Sequence, residues 1–290
     1  MATAAPARRW RGVSDVVRRI ARDPMGLLGL VLVALFLLVG LGADWLAPFD
    51  PIKVGVARPL SPPSWLHPLG TDQLGRDLFS RVIVGSRIAL AVAGASILVA
   101  VSLGVTMGLA AGYGPRWLDN ATLLVFDVVY SFPMVMFGLA IVTLTGPGLW
   151  VVVMVVVAAL VPSYGRIMRT ATLSLKNNEF IMAERSMGAR TPRILLRHIL
   201  PNAIGPVFIL ASMDIPAAIA FEAGLTFLGI GLRPPAPSWG RILNEGYVFI
   251  QQTPWIIIAG GIPLVLATLG FTFLGEALRD TLDPKLRRRR

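Results

Sequence analysis

Residues 179–202 read EFIMAERSMGARTPRILLRHILPN, a polar stretch between two long apolar runs that says more about the fold than any other part of the chain. A rigid hairpin between two membrane helices suits the transmission of force from a soluble partner. An ordinary solvated basic loop explains the charge pattern equally well. The positive charge comes from four arginines, Arg185, Arg190, Arg193 and Arg197.

The residues that end and cap helices in this hairpin predict two short helices. The first runs over 180–187 and ends at Gly188, because glycine readily adopts the left-handed conformation that a helix end requires. Thr191 is placed to cap a second helix that begins with Pro192, where a missing N–H costs nothing. Pro201 predicts the bend into the next apolar run.

The spacing within the hairpin resembles the cytoplasmic "EAA" loop of ABC-importer permeases, whose pattern is Glu-Ala-Ala, three residues, Gly, nine residues and Ile-x-Leu-Pro. The aligned residues here are 182–184 (MAE), Gly188 and 198–201 (HILP). The Gly, Leu and Pro positions fit, whereas the residues at 182, 184 and 198 depart from the pattern. The resemblance implies that eight residues couple the chain to an ATPase: Glu179, Ala183, Glu184, Met187, Gly188, His198, Leu200 and Pro201.

Further motifs are similar to the dipeptide, oligopeptide and nickel branch of these importers. They are 67–81 (HPLGTDQLGRDLFSR), 221–229 (FEAGLTFLG), 237–240 (PSWG) and 278–284 (LRDTLDP). The resemblance runs from about residue 23 to residue 286. Its N-terminal span and the segment that follows, residues 25–85, resemble those of the C-type subunit.

The resemblance implies a type I ABC-importer permease fold that forms half of an alternating-access pathway. Its implied partners are a homologous second permease, one or two cytoplasmic ABC ATPases that bind ATP and Mg, and an extracytoplasmic solute-binding protein. The chain itself is then non-catalytic, binds no cofactor and lies in the cytoplasmic membrane of a bacterium or archaeon. Di- or oligopeptides are the cargo implied first, with nickel or another small solute as the alternative within the family.

Composition points to a lipid environment independently of the resemblance. Hydrophobic residues make up 55% of the chain and charged residues 15%, against about 25% charged in a soluble domain. A net charge of +11 would suggest nucleic acid in a soluble chain. Because the basic residues cluster at both ends and in one hairpin, membrane topology explains them better, and we expect no nucleic-acid partner.

The sequence lacks the usual signatures of catalysis and of cofactor binding. It has no cysteine, so it offers neither a disulfide nor a thiolate ligand. Its two histidines, His67 and His198, are expected on opposite membrane faces. None of the three lysines lies in a glycine-rich phosphate loop, and neither GxSxG nor HExxH occurs. We expect no catalytic, cofactor or metal site in this chain.

Uncharged runs predict six transmembrane helices. The first is retained rather than cleaved as a signal peptide, because residues 25–43 form an uncharged run longer than a signal-peptide core. The expected spans are 25–47, 86–112, 119–144, 149–168, 203–231 and 254–278.

Lysine and arginine set the expected orientation of these spans. The side that holds both termini and the hairpin carries 20 of them and the other side seven, so the basic N-terminus (1–24) and tail (280–290) should be cytoplasmic. The five-helix core is expected over 86–279. Residues 48–85 and 232–253 are then extracytoplasmic.

The two extracytoplasmic segments suggest two uses. Each contacts a binding protein or covers the bundle as a lid, and the sequence does not choose between these. The first segment should end in a helix that is capped near Thr71 or Asp72 and lies along the membrane surface.

Three carboxylates, Asp127, Asp214 and Glu222, fall within apolar runs. A charge at mid-bilayer costs about 2.5–3.5 kcal/mol, so each should face protein or water. They line a translocation path that accepts the cationic amine of a peptide, or they stabilise helix packing. Pro206 and Pro216 predict a bend in the fifth span. A self-sufficient, ion-coupled secondary transporter is the alternative function, but such folds carry internal repeats, and no convincing repeat is found here.

Overall fold

The structure is a computed structural model that describes residues 12–282. Residues 1–11 and 283–290, which belong to the predicted basic termini, lie outside the described residues. Within the described range the chain is helical, and Thr71 and Asp77 form an isolated β-bridge. The helices are α1 (Gly12–Ile20), α2 (Pro24–Leu41), α3 (Ala43–Leu46), α4 (Leu78–Tyr113), α5 (Arg116–Ser131), α6 (Met134–Thr145), α7 (Leu149–Leu175), α8 (Glu179–Ser186), α9 (Thr191–Arg193), a π-helical turn (Ile194–Ile199), α10 (Leu200–Ala203), α11 (Gly205–Phe227), α12 (Trp239–Val248) and α13 (Trp255–Leu282).

Among the residues that the structure describes, five helices are long and apolar enough to cross a membrane: α2, α4, α7, α11 and α13. The consecutive helices α5 and α6 qualify only together, and they bend by 90° where they meet. The all-helical, multi-pass membrane fold is therefore confirmed, with five candidate spans, or six if the bent pair crosses the membrane as one broken span. An unbroken helix over 119–144 is wrong, because Phe132 and Pro133 have ψ angles of 127° and 128°, far from helical values. A residue before proline is biased away from helical geometry, and Pro133 supplies no N–H to continue the helix.

The centre of the bundle is the close pairing of α4 with α7. Gly104, Gly108 and Gly112 lie one turn apart on α4 and meet α7, where an added Cβ would come within 3 Å of atoms around Gly165 and Thr172. The small-residue face predicted for the second span is thus a packing surface. Helices α2, α11 and α13 pack around this pair.

The second span begins earlier than its hydropathy indicates. Helix α4 starts at Leu78, and its N-terminal amides are capped by Asp77, whose Oδ2 accepts a hydrogen bond from the backbone N–H of Ser80 at 2.7 Å. A separate surface helix capped near Thr71 or Asp72 is therefore wrong. Asp72 instead closes a loop, because its Oδ1 accepts from the N–H groups of residues 74 and 76.

Helix α12 packs against α4, α11 and α13 instead of standing free. Trp239 at its start is fully buried and donates from Nε1 to the carbonyl of Val82 at 3.1 Å. Its ring also meets Phe36 of α2 edge to face. Helix α12 therefore belongs to the packed bundle.

Candidate functional site

The first arm of the hairpin is α8, which ends as its sequence predicts. Gly188 has a φ of +79°, the left-handed conformation, and nothing lies within 4 Å of the position that a Cβ would take. Two hydrogen bonds close the end: Gly188 N–H donates to the carbonyl of Arg185, and Ala189 N–H donates to that of Glu184. Glycine is favoured here by backbone conformation alone.

The second arm differs from its prediction in two respects. Thr191 is the first helical residue and Arg190 precedes it, so Thr191 does not cap the helix. The arm then widens into the π-helical turn, in which Leu200 N–H donates to the carbonyl five residues earlier. Pro201 lies within α10, and the break before α11 falls at Ile204. The bend predicted at Pro201 is thus displaced along the chain.

The two arms are joined by an apolar contact layer and one polar contact. Ile181, Ile194 and Ile199 are fully buried. His198 Nε2 lies 3.4 Å from Glu184 Oε1, so the structure brings together two of the predicted coupling residues from opposite arms. These three isoleucines also belong to the hydrophobic core of the bundle, so both arms of the hairpin are packed on the bundle.

The outer face of α8 carries apolar side chains that the chain leaves uncovered. Met187 is 74% exposed and Phe180 43% exposed, and Ala183 is exposed between them. Phe180, Ala183 and Met187 are spaced three and four residues apart, which places them along one side of the helix. An exposed apolar stripe on a polar hairpin is a suitable surface for docking.

The remaining predicted coupling residues lie on different parts of the hairpin. Glu179 is exposed in the first turn of α8, and Pro201 is exposed on the second arm. Leu200 is half-buried and packs against the bundle core. Leu200 therefore serves packing in this structure.

The hairpin is fastened to the end of α4 by contacts that the sequence did not reveal. Arg185 lies over the ring of Tyr113, 5.0 Å from its centroid, and donates from Nε to its hydroxyl at 3.2 Å. Lys176 Nζ donates to the carbonyl of Gly112 at 2.9 Å, just before the hairpin begins. A displacement of the hairpin would act on α4 through these contacts.

The three membrane carboxylates lie in three different environments. Asp127 is exposed and pairs with Arg166 of α7, with 2.6 Å between Oδ1 and Nη2. Asp214 on α11 is partly buried, and its Oδ2 has no hydrogen-bond partner. Glu222 is fully buried and accepts a hydrogen bond from Thr226 Oγ1 at 3.0 Å. The structure does not bring these carboxylates into one cluster, and only Asp127 is open to the surroundings.

The structure contains a buried ionic network that the sequence did not predict. Glu245 of α12 accepts from Arg76 at 3.1 Å and from Arg81 at 3.0 Å through Oε2, and from Arg241 through Oε1. Asp72 completes the network with contacts to Arg76 and Arg81. Two signals were available: the four-residue spacings 72–76 and 241–245, and the motif at 67–81. Neither indicates that residues so far apart in sequence meet.

No cluster of three or more histidines, aspartates and glutamates suited to a metal ion occurs within residues 12–282. The geometry is that of a helical bundle with a polar hairpin at one end and a buried ionic network near the start of α4.

This architecture agrees with family comparisons. Residues 104–288 match the binding-protein-dependent transport system inner membrane component family, and residues 13–63 match the N-terminal transmembrane domain of oligopeptide transport permease C. The chain belongs to this family of transport permeases and is a multi-pass membrane protein.

Curated relatives extend over nearly the whole chain. The dipeptide transport system permease DppC of Alkalihalophilus pseudofirmus is 35% identical over 96% of this chain and 90% of that protein. The glutathione transport system permease GsiD of Pectobacterium atrosepticum is 38% identical over 96% of this chain and 92% of its own. The di/tripeptide transport system permease DppC of Pseudomonas aeruginosa is 35% identical over 89% of this chain and 88% of that protein.

A solved structure with the same fold is the MetNI methionine ABC transporter in an inward-facing conformation. It matches with a TM-score of 0.58 and 18% identity over 70% of this chain and 97% of that one. At this identity the match establishes the ABC-importer permease fold.

Proposed function

We propose that this chain is the C-type permease subunit of an ATP-driven, binding-protein-dependent importer of di- or oligopeptides. The observation that carries the proposal is the hairpin of residues 179–202. It has fully buried isoleucines on both arms, presents an apolar stripe on α8 and is fastened to α4 through Arg185 and Tyr113. Such a hairpin converts a movement of a docked soluble subunit into a movement of the bundle. The peptide relatives support the cargo class.

The proposed assembly supplies what this chain lacks. A second, homologous permease forms the other half of the pathway, and ABC ATPases that bind ATP and Mg dock on the hairpin. An extracytoplasmic binding protein delivers the peptide. This chain acts as a non-catalytic subunit in the cytoplasmic membrane, with its termini and hairpin on the cytoplasmic side, as its arginine distribution favours.

The first expected result concerns dependence on partners. The purified chain in vesicles should neither hydrolyse ATP nor concentrate a peptide, because it has no phosphate loop to bind ATP. Uptake of a labelled dipeptide should appear when the second permease, the ATPases and the binding protein are added together. Uptake by this chain alone, driven by an imposed ion gradient, would instead identify a secondary transporter.

The second expected result concerns orientation, and the absence of cysteine makes it simple to measure. Ser64→Cys and Gln251→Cys introduce thiols at exposed positions of the two segments assigned outside. An impermeant thiol reagent should label both in intact cells. Ser186→Cys, exposed on α8, should be labelled only after the membrane is opened. The reverse labelling pattern would invert the topology.

A further inference from the structure

The exposed ion pair of Asp127 and Arg166 joins α5 to α7, away from the ends of both helices. Asp127 is about 16 Å along α5 from its first residue, and Arg166 is about 14 Å from the last residue of α7. Their side chains are 67% and 42% exposed. Arg166 also lies 5.2 Å from the ring centroid of Tyr130, whose hydroxyl bonds Ser163. The arginine is therefore held in place while its charge stays accessible.

Hydrocarbon is a poor surrounding for this pair. Exposed charges at membrane depth are costly and occur mainly where they face a bundle interior or water. The exposed residues Leu124 and Val128 flank Asp127 on α5, so the charged spot is confined to a few side chains. Its polar continuation is Ser131, one turn further, which is also exposed.

The broken span lies beside the ion pair. Helix α5 ends at Ser131, and the chain turns through 90° before α6. Backbone that leaves helical geometry at membrane depth is tolerated where it is buried in protein or lines a water-filled cavity. Discontinuous helices of this kind build the solute sites of many transporters. The break and the ion pair are two separate features that lie about one turn apart on α5.

A second ion pair on the same two helices supplies the contrast. Asp119 and Arg169 form two parallel hydrogen bonds, and their side chains are only 19% and 23% exposed. This pair is a structural link that fixes α5 to α7 at one end. The Asp127 end lies close to the break and so has more freedom to move apart from α7.

Resting on the proposed function, we propose that Asp127 and Arg166 form a subsite for the two termini of a short zwitterionic peptide in the translocation path. Asp127 accepts hydrogen bonds from the α-ammonium group, and Arg166 donates to the α-carboxylate. Without cargo the two side chains neutralise each other, as in this structure. With cargo each charge exchanges its partner for one peptide terminus.

This exchange explains selection for a solute that carries both charges. A peptide lacking one terminal charge would separate the pair and leave one side chain without a counter-charge, which is costly in a region of low dielectric. The termini of an extended dipeptide are about 7 Å apart, so α5 must move from α7 at its Asp127 end by a few ångström. The break after Ser131 allows that movement while the Asp119–Arg169 link holds.

The test uses Ser131→Cys in the complete importer, with its second permease and ATPases, in lipid nanodiscs. A charged, water-soluble methanethiosulfonate reagent should modify this thiol, and Leu98→Cys, exposed on α4, serves as the control for a lipid-facing position. Alanyl-alanine should slow the modification. N-acetyl-alanyl-alanine and alanyl-alanine amide, each with one terminal charge, should need at least about tenfold higher concentrations, the loss expected for one charged hydrogen bond.

Charge-removing variants then assign each terminus. Asp127→Asn should make alanyl-alanine and its N-acetyl derivative equally protective, and Arg166→Gln should do the same for alanyl-alanine and its amide. Asp119→Asn, the matched control on the same helix, should leave the order of the three solutes unchanged. The subsite would be overturned if Ser131→Cys did not react, or if all three solutes protected it equally while Asp127 and Arg166 were both present. If the subsite fails these tests, ATP-driven dipeptide uptake measured in parallel vesicles would still support the proposed function.

Discussion

Gly188→Val is expected to abolish the stimulation of ATP hydrolysis by the loaded binding protein, and uptake with it. The residue has a φ of +79°, where a β-branched side chain costs roughly 1–2 kcal/mol. Because no atom lies within 4 Å of the added Cβ, the effect is conformational rather than steric. The helix α8 must therefore end differently, and its apolar stripe should leave the position at which an ATPase docks.

A matched substitution separates conformation from loss of glycine as such. Gly188→Asn should retain most of the stimulated activity, since asparagine tolerates the left-handed region better than other side chains. Both variants should insert, pair with the second permease and bind the loaded binding protein. Normal stimulated ATP hydrolysis in Gly188→Val would contradict the coupling role of the hairpin.

Ala183→Arg tests the same surface without altering the backbone. A long cation in the middle of the exposed stripe between Phe180 and Met187 should block docking on an apolar groove. Met182→Arg places the same charge one residue earlier, about 100° around the helix, on a side chain that is 50% exposed but lies off the stripe, and should be tolerated better. Equal losses in the two variants would indicate a general effect of charge rather than a docking face.

The positions of the spans could be predicted because long apolar runs have few alternatives in lipid. The end of α8 was equally predictable, since Gly188 provides a local conformational signal. The break between α5 and α6 was missed although Pro133 was visible, because the apolar run continues through it. The early start of α4 was missed because Arg81 is charged. The burial of Arg81 depends on Glu245, 164 residues away, and no local sequence pattern indicates such a contact.

The same distinction applies to the candidate site. The outward residues Ala183 and Met187 follow from helical spacing, which is local. Hydropathy marked Asp127 as unusual, but the sequence paired it with no cation, because Arg166 lay near the expected end of its span. The structure extends α7 through Leu175 and so places Arg166 inside the helix. Membrane carboxylates can be found from sequence, whereas their partners require the packing of the helices.

The second large expected effect is a loss of stability when the buried ionic network loses a carboxylate. We expect the size of this loss to depend on the charge balance of the network more than on the number of its contacts. Arg76, Arg81 and Arg241 carry three positive charges around the two carboxylates Asp72 and Glu245. Glu245→Gln keeps the shape but leaves three arginines around one carboxylate. Removing one partner of a buried ion pair costs about 3–5 kcal/mol. A fall of that size in the stability of the assembled permease should appear in SDS or thermal unfolding.

Arg81→Met replaces a fully buried, charged side chain by a shorter, uncharged and flexible one, and leaves two cations facing two anions. We expect a smaller loss, about 1–2 kcal/mol, because a balanced network remains and methionine fills most of the space. Asp44→Asn, at the exposed pair with Arg87, is the surface control and should barely shift the transition. If Arg81→Met destabilises the complex more than Glu245→Gln does, the network is held by packing and hydrogen bonds rather than by charge balance. The smaller loss for Arg81→Met would identify Glu245 as the anion that joins α12 to the start of α4.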